Sequence, residues 1–165
     1  MKYWLMKSEP DEASIDHLGS APQQTLPWTG VRNYQARNIM RVGMRPGDGV
    51  LFYHSSCPQP GVAGLARVVG GLAPDITQWD PHSPYFDAAS TRQAPRWLQI
   101  EVQLVRKTRL LSLAEMRSAP ELATMRVLQR GNRLSITPVS ADEWTAVLAL
   151  LDQPATPERA ASCSI

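Results

Sequence analysis

Trp28-Thr29-Gly30-Val31-Arg32-Asn33-Tyr34-Gln35-Ala36-Arg37-Asn38 concentrates recognition chemistry in one short stretch. The indole of Trp28 offers a face on which a planar group can stack. Gly30 lets backbone come close to a partner, and Val31 follows it. Arg32, Asn33, Tyr34 and Arg37 add two guanidiniums, an amide and a phenol, the groups that hold an anion or the polar edge of a flat ligand. The same residues also suit a half-buried scaffold tryptophan and a solvated basic helix face.

Two further groups stand out. Lys7, Ser8 and Glu9 place an amine, a hydroxyl and a carboxylate at the end of the first apolar run. Glu9 can accept from an exocyclic amine, and Ser8 can donate or accept. On a continuing strand Lys7 and Glu9 share a side, which favours an ion pair and a protonated lysine. The plain alternative is a turn carrying a surface ion pair. His54-Ser55-Ser56 invites a reading as base and nucleophile. Adjacent strand residues point to opposite faces, however, so a structural or ligand-binding histidine fits better. His17, His54 and His82 lie in separate segments, and Cys57 and Cys163 form no CxxC pair. With no Gly-rich phosphate loop either, no metal and no cofactor is expected.

These groups need elements to position them. Alternation from Tyr3 to Lys7 predicts a strand, ended by Ser8-Glu9-Pro10. Residues 14–18 predict a short helix, and 21–27 a proline-bounded loop delivering Trp28. Asn33 suits an N-cap, with Ala36, Ile39 and Met40 as the apolar face of a helix running to about Val42. Tyr34, Arg37, Asn38 and Arg41 fall on another side of it. Gly49 to His54 reads as a strand buried on both faces, and Gly61 to Val69 as another, with Gly64 marking a bulge or a close approach. Residues 73–95 form a long irregular segment holding Trp79, Tyr85 and Phe86. Trp97 to Val105 alternates cleanly as a strand. Ser112/Glu115 and Ser140/Glu143 are capping boxes, the second opening a helix to about Leu151. A helix over 121–128 and a last strand over 134–139 complete the pattern. Strands and helices do not alternate as βαβ units, so a small, partly closed mixed barrel with helices outside it is expected.

Composition narrows the function classes. An apolar fraction of 43% and a charged fraction of 19% suit a globular chain with a core. The net charge is only +2, so contact with nucleic acid would be local rather than a broad non-specific grip. Widely spaced cysteines favour a reducing compartment, although pairing stays open. The N-terminus is charged too early for a signal peptide, and no apolar run approaches the roughly 20 residues of a membrane span. A cytoplasmic location is expected, or a nuclear one if the source is eukaryotic. The expected organisation is one domain over 1–151 and a disordered tail over 152–165.

Residues 3–10 (YWLMKSEP), 28–38, 52–55 (FYHS), 61–64 (GVAG) and 133–136 (RLSI), in that order, resemble the EVE domain family. The resemblance runs from Lys2 to about Leu151. Ser56 departs mildly, since the family often carries Asn there. The resemblance implies an α+β, PUA-like mixed β-barrel of about five to six strands, with short helices packed around it. It also implies a reader of modified bases, such as modified cytosine in DNA or a modified RNA.

Such a reader needs ring walls, polar groups at the base edge and positive charge for phosphate. Trp28 is the main stacking candidate, with Tyr53 or Tyr34 as second wall. The expected ligand-binding set is Lys7, Ser8, Glu9, Trp28, Gly30, Val31, Arg32, Asn33, Tyr34, Arg37, Tyr53, His54 and Ser55. Two other readings stand beside it: a small hydrolase acting on a modified nucleoside through Lys7 and Glu9, and a protein-interaction module marked by an exposed apolar patch.

Overall fold

The computed structural model describes residues 1–155. The chain runs β1 (Tyr3–Ser8), α1 (Ile15–Ser20), β2 (Thr25–Trp28), α2 (Tyr34–Gly43), β3 (Gly49–His54), β4 (Gly61–Val68), β5 (Ala73–Pro74), β6 (Leu98–Ser112), α3 (Leu113–Ser118), β7 (Ile136–Val139) and α4 (Ala141–Leu151). The expected tail falls, from residue 156 onward, outside the described residues. The first two residues of that expected tail are held: Asp152 pairs with Arg106 at 3.5 Å, and the Gln153 carbonyl accepts from Arg109 Nε at 2.8 Å.

The strands form a mixed sheet in the order β2-β6-β4-β3-β1-β7, with β5 pairing onto β6. β1 and β3 run parallel and sit centrally; the other ladders are antiparallel. Among the described residues no ladder joins β2 to β7, so the curl stays open between these two edges.

Alternation sorts the side chains into two cores. Trp4, Met6, Val50, Phe52 and Ile136 point to the face covered by α1 and α2. Leu5, Leu51, Tyr53, Val62 and Leu111 point to the face covered by α3 and α4. β3 is therefore buried on both sides, as its unbroken apolar run predicts. Gly64 shows both features expected of it. The β4 register shifts beside it, and a Cβ there would lie 2.5 Å from Ile15 Cδ1.

Several boundaries differ from the sequence reading. Residues 25–28 pair with Ile100–Gln103 as β2, a strand that Pro27 disguises; proline is tolerated there because β2 is an edge. β6 runs on to Ser112, past the clean alternation, because register shifts let it curve along β4. Residues 121–128 form two short 3₁₀ turns, Pro120–Leu122 and Arg126–Leu128, rather than a helix. Both capping boxes and the Asn33 N-cap are present. No helix among the described residues is long and apolar enough to cross a membrane.

The start of β1 hangs on one carboxylate. Asp48, buried, accepts from the Lys2 amide at 2.9 Å, the Trp4 indole at 2.9 Å and the Arg45 amide at 3.0 Å. Burial pushes its pKa up, but these donors outweigh burial and hold the carboxyl below the usual range. Asp48→Ala is expected to cost about 3 kcal/mol, because the buried indole N–H loses its charged acceptor. Urea unfolding followed by tryptophan fluorescence checks this, with Asp48→Asn losing less.

Candidate nucleic-acid interface

The largest concentration of the expected site residues surrounds a cavity of about 620 Å³. That size lies within the ordinary range for small-ligand sites. Both edges of the sheet contribute. Leu26, Pro27 and Trp28 come from β2, while Arg133 and Ser135 come from the segment leading into β7. Lys7 and Ser8 from the end of β1, Phe52 from β3 and Val102 from β6 form the remaining sheet-borne lining. Glu9, Glu12 and Ala13 approach from the loop after β1, and Thr77, Ser83, Pro84 and Tyr85 from the loop after β5.

The walls are rings. Trp28 meets Phe52 edge-on, with centroids 5.3 Å apart and planes at 74°. Tyr85 stands against Gly30, whose φ is +82°; a Cβ there would lie 2.8 Å from the phenol ring. The glycine's close approach is thus to the protein's own tyrosine. The Tyr85 hydroxyl in turn donates to the Glu12 carboxylate, linking the two loops that flank the cavity. Burial, then that bond and the Glu12 charge, push the phenol pKa up to about 12, so the proton stays in place at neutral pH.

Arg32 does not line the cavity; it builds it. Its Nη1 donates to Asp75 Oδ2 at 2.8 Å and to the Val31 carbonyl at 3.0 Å. Nη2 donates to Thr77 Oγ1 at 3.0 Å and to the Tyr85 carbonyl at 2.7 Å, which Nε also reaches at 3.0 Å. Every N–H of the guanidinium is spent inside the protein, leaving none for a ligand. Asp75 is fully buried and also accepts from the Gly30 amide at 2.8 Å and from Thr77. Burial alone would raise its pKa, but the Thr77 hydroxyl, Arg32 and the two amides outweigh burial and lower it.

The structure places the other expected residues as follows. Lys7, Ser8, Glu9, Trp28, Gly30, Val31 and Ser55 line the cavity, whereas Asn33, Tyr34, Arg37, Tyr53 and His54 do not. Asn33 caps α2, accepting from the Ala36 amide at 3.0 Å. Tyr34 stacks on Trp97 at 4.8 Å, with Arg37 lying over its outer side at 4.8 Å. Tyr53 is buried against α3 and α4. His54 Nε2 accepts from the Ile15 amide at 3.0 Å, and burial lowers its pKa, keeping the ring neutral at the start of α1.

The expected Lys7–Glu9 ion pair does not form among the described residues. β1 ends at Ser8, and the Glu9 carbonyl instead accepts from Glu12 and Ala13 in a turn, so the strand alternation that would align the two side chains has stopped. Burial lowers the Lys7 pKa. The Ser8 hydroxyl donates to the Ala13 carbonyl at 2.7 Å. Sequence reasoning did not assign Glu12, Phe52, Tyr85, Arg133 or Ser135 to the site. Phe52, Arg133 and Ser135 belong to motifs carrying the family resemblance; Glu12 and Tyr85 lie outside them. No group of three or more His, Cys, Asp or Glu among the described residues is arranged to hold a metal.

Arg32→Lys keeps the charge but loses the planar fork. It is expected to lower stability by about 2 kcal/mol and to raise the accessibility of Tyr85 to chemical iodination. The Asp75 contribution follows from its lowered pKa. It is fully present above the ordinary carboxylate value near 4 and is lost as pH falls through the lower folded value. Acid titration of Asp75→Asn against the parent chain should show that loss only in the parent.

Comparison with known proteins agrees with this architecture. Human thymocyte nuclear protein 1 is 41% identical over 166 residues, covering 90% of this chain and 73% of its own length. The crystal structure of human THYN1 protein in complex with 5-methylcytosine-containing DNA superposes with a TM-score of 0.87 at 39% identity, covering 94% of this chain and 100% of that one. A crystal structure of a protein from Pseudomonas putida gives a TM-score of 0.85 at 46% identity, covering 90% and 98%. The EVE domain pattern matches residues 2–150, and with these relatives it establishes that the chain belongs to the EVE domain family.

Proposed function

We propose that the chain is a non-catalytic reader that takes a modified base of nucleic acid into the cavity beside Trp28. The observation that carries this reading is the cavity's composition: rings for stacking, beside side chains that can both donate to and accept from a base edge. The 5-methylcytosine DNA bound by the human relative names the first ligand class to test. Cytosine presents an exocyclic amine as donor, which suits Glu9 or Glu12, and ring acceptors, which suit Lys7 or a serine. A 5-methyl group would meet the apolar lining of Leu26, Phe52 and Val31. Where the host cell has a nucleus, this reading puts the protein there, in keeping with the name of the nuclear relatives; otherwise it puts it in the cytosol with the nucleic acid.

The reading assigns no chemistry to the base. His54 is engaged with α1 outside the cavity, and the Ser8 hydroxyl is already donated. Trp28→Ala is expected to weaken binding of a duplex carrying one 5-methylcytosine by about 1–3 kcal/mol, while an unmodified duplex is affected less. Fluorescence anisotropy with both duplexes measures it, and equal binding of the two by the parent protein ends the reading. Incubation with acylated and alkylated cytidines, followed by mass spectrometry, should release no nucleoside. Turnover that disappears in both Lys7→Ala and Glu9→Gln would replace the reader with a hydrolase.

A further inference from the structure

A second groove of about 600 Å³ adjoins the cavity, between the start of α2 and the loop joining the 3₁₀ turn at Arg126–Leu128 to β7. Arg126, Arg130 and Arg133 line it, and no carboxylate does. All three are exposed. Among the described residues their guanidiniums make no hydrogen bond, ion pair or ring contact. Arg41 is likewise uncontacted but lies outside this lining, so what marks these three is that they share one groove. Arg32, Arg96, Arg106, Lys107 and Arg109 each face an acidic partner.

The loop beneath them is held in place. Gln129 donates to the Ala123 and Met125 carbonyls, Asn132 donates to the Arg126 carbonyl, and the Leu134 amide donates to Asn132. Gly131, at φ +79°, makes the turn possible. The backbone is thus preformed while the charges stay free. Arg133 lines both the groove and the cavity, so the two lie side by side on either side of it.

Resting on the reader assignment, we infer that this groove carries the phosphodiester backbone flanking the base held in the cavity. Unpaired guanidiniums on an ordered loop are suited to phosphate oxygens, which they hold in bidentate fashion. Such contacts set register and orientation and carry no sequence information. A total charge of only +2 gives the chain no general attraction for a polyanion, so a local run of unanswered arginines is where counterion release would be concentrated.

The test uses the full chain with Arg126→Gln/Arg130→Gln, leaving the cavity residue Arg133 in place. Binding is measured over a salt series to a duplex with one 5-methylcytosine and to its unmodified twin, with matching single-stranded RNAs as a second arm. The double variant should flatten the dependence of log Kd on log salt by roughly 0.9 per lost duplex phosphate contact, or about 0.7 on a single strand. It should weaken both twins by the same factor and leave their ratio unchanged. Arg106→Gln, on a carboxylate-paired position, should keep the parent slope. An unchanged slope in the double variant, while Trp28→Ala still loses discrimination, would overturn the groove and leave the reader standing. Equal binding of both twins by the parent, with the slope still falling in the double variant, would keep the groove and remove the modified-base reading. Binding of no probe by the parent would remove both.

Discussion

One buried carboxylate holds the site together. Asp75 receives the Gly30 amide, the Arg32 guanidinium and both donors of Thr77, so the segment leaving β2 and the segment leaving β5 meet at a single group. A carboxylate in a dry position is stable only when its lone pairs are answered, which makes this junction intolerant of alternatives. Tyr85 depends on it at one remove, since its carbonyl is gripped by the same arginine. The long segment over 73–95 owes its order to the same logic. Buried Gln78 donates to the Asp75 and Trp97 carbonyls and accepts from Ser90 and the Trp97 amide.

The cavity follows from a sheet that curls without closing. Had β2 paired with β7, the space beside Trp28 would be bridged by ladder hydrogen bonds. The unpaired edges leave room for side chains from both ends of the strand order, and loops from two other places complete the wall. The two cores on opposite faces of β1 and β3 make that curl rigid, because neither central strand can shift register without moving its apolar set to the wrong face.

Cations are divided by task. Arg32 is consumed in building the site, Arg37 lies over Tyr34 and donates to the Arg96 carbonyl, and several others answer carboxylates. The guanidiniums free for an external anion are therefore a small subset, and which they are depends on the distribution of acids around them.

Much of this molecule is readable from its residues. Capping boxes, the Asn33 N-cap, the doubly buried β3 and the bulge at Gly64 follow from local rules, because each depends on neighbours within a few positions. The motif stretches were enough to identify the family and to bring Lys7, Ser8, Glu9, Trp28, Gly30, Val31 and Ser55 into one list. What sequence could not say is which side of the wall each group stands on. Tyr34, Tyr53 and Tyr85 are chemically the same ring; only the course of the sheet and the returning loop sends one into the α3/α4 core, one onto Trp97 and one into the cavity. Arg32 carries the same charge as Arg133, yet a carboxylate 43 residues away claims it. Local propensity acts over a turn or a strand, whereas the partner that satisfies a buried charge is chosen by tertiary packing, and that choice separates scaffold from site.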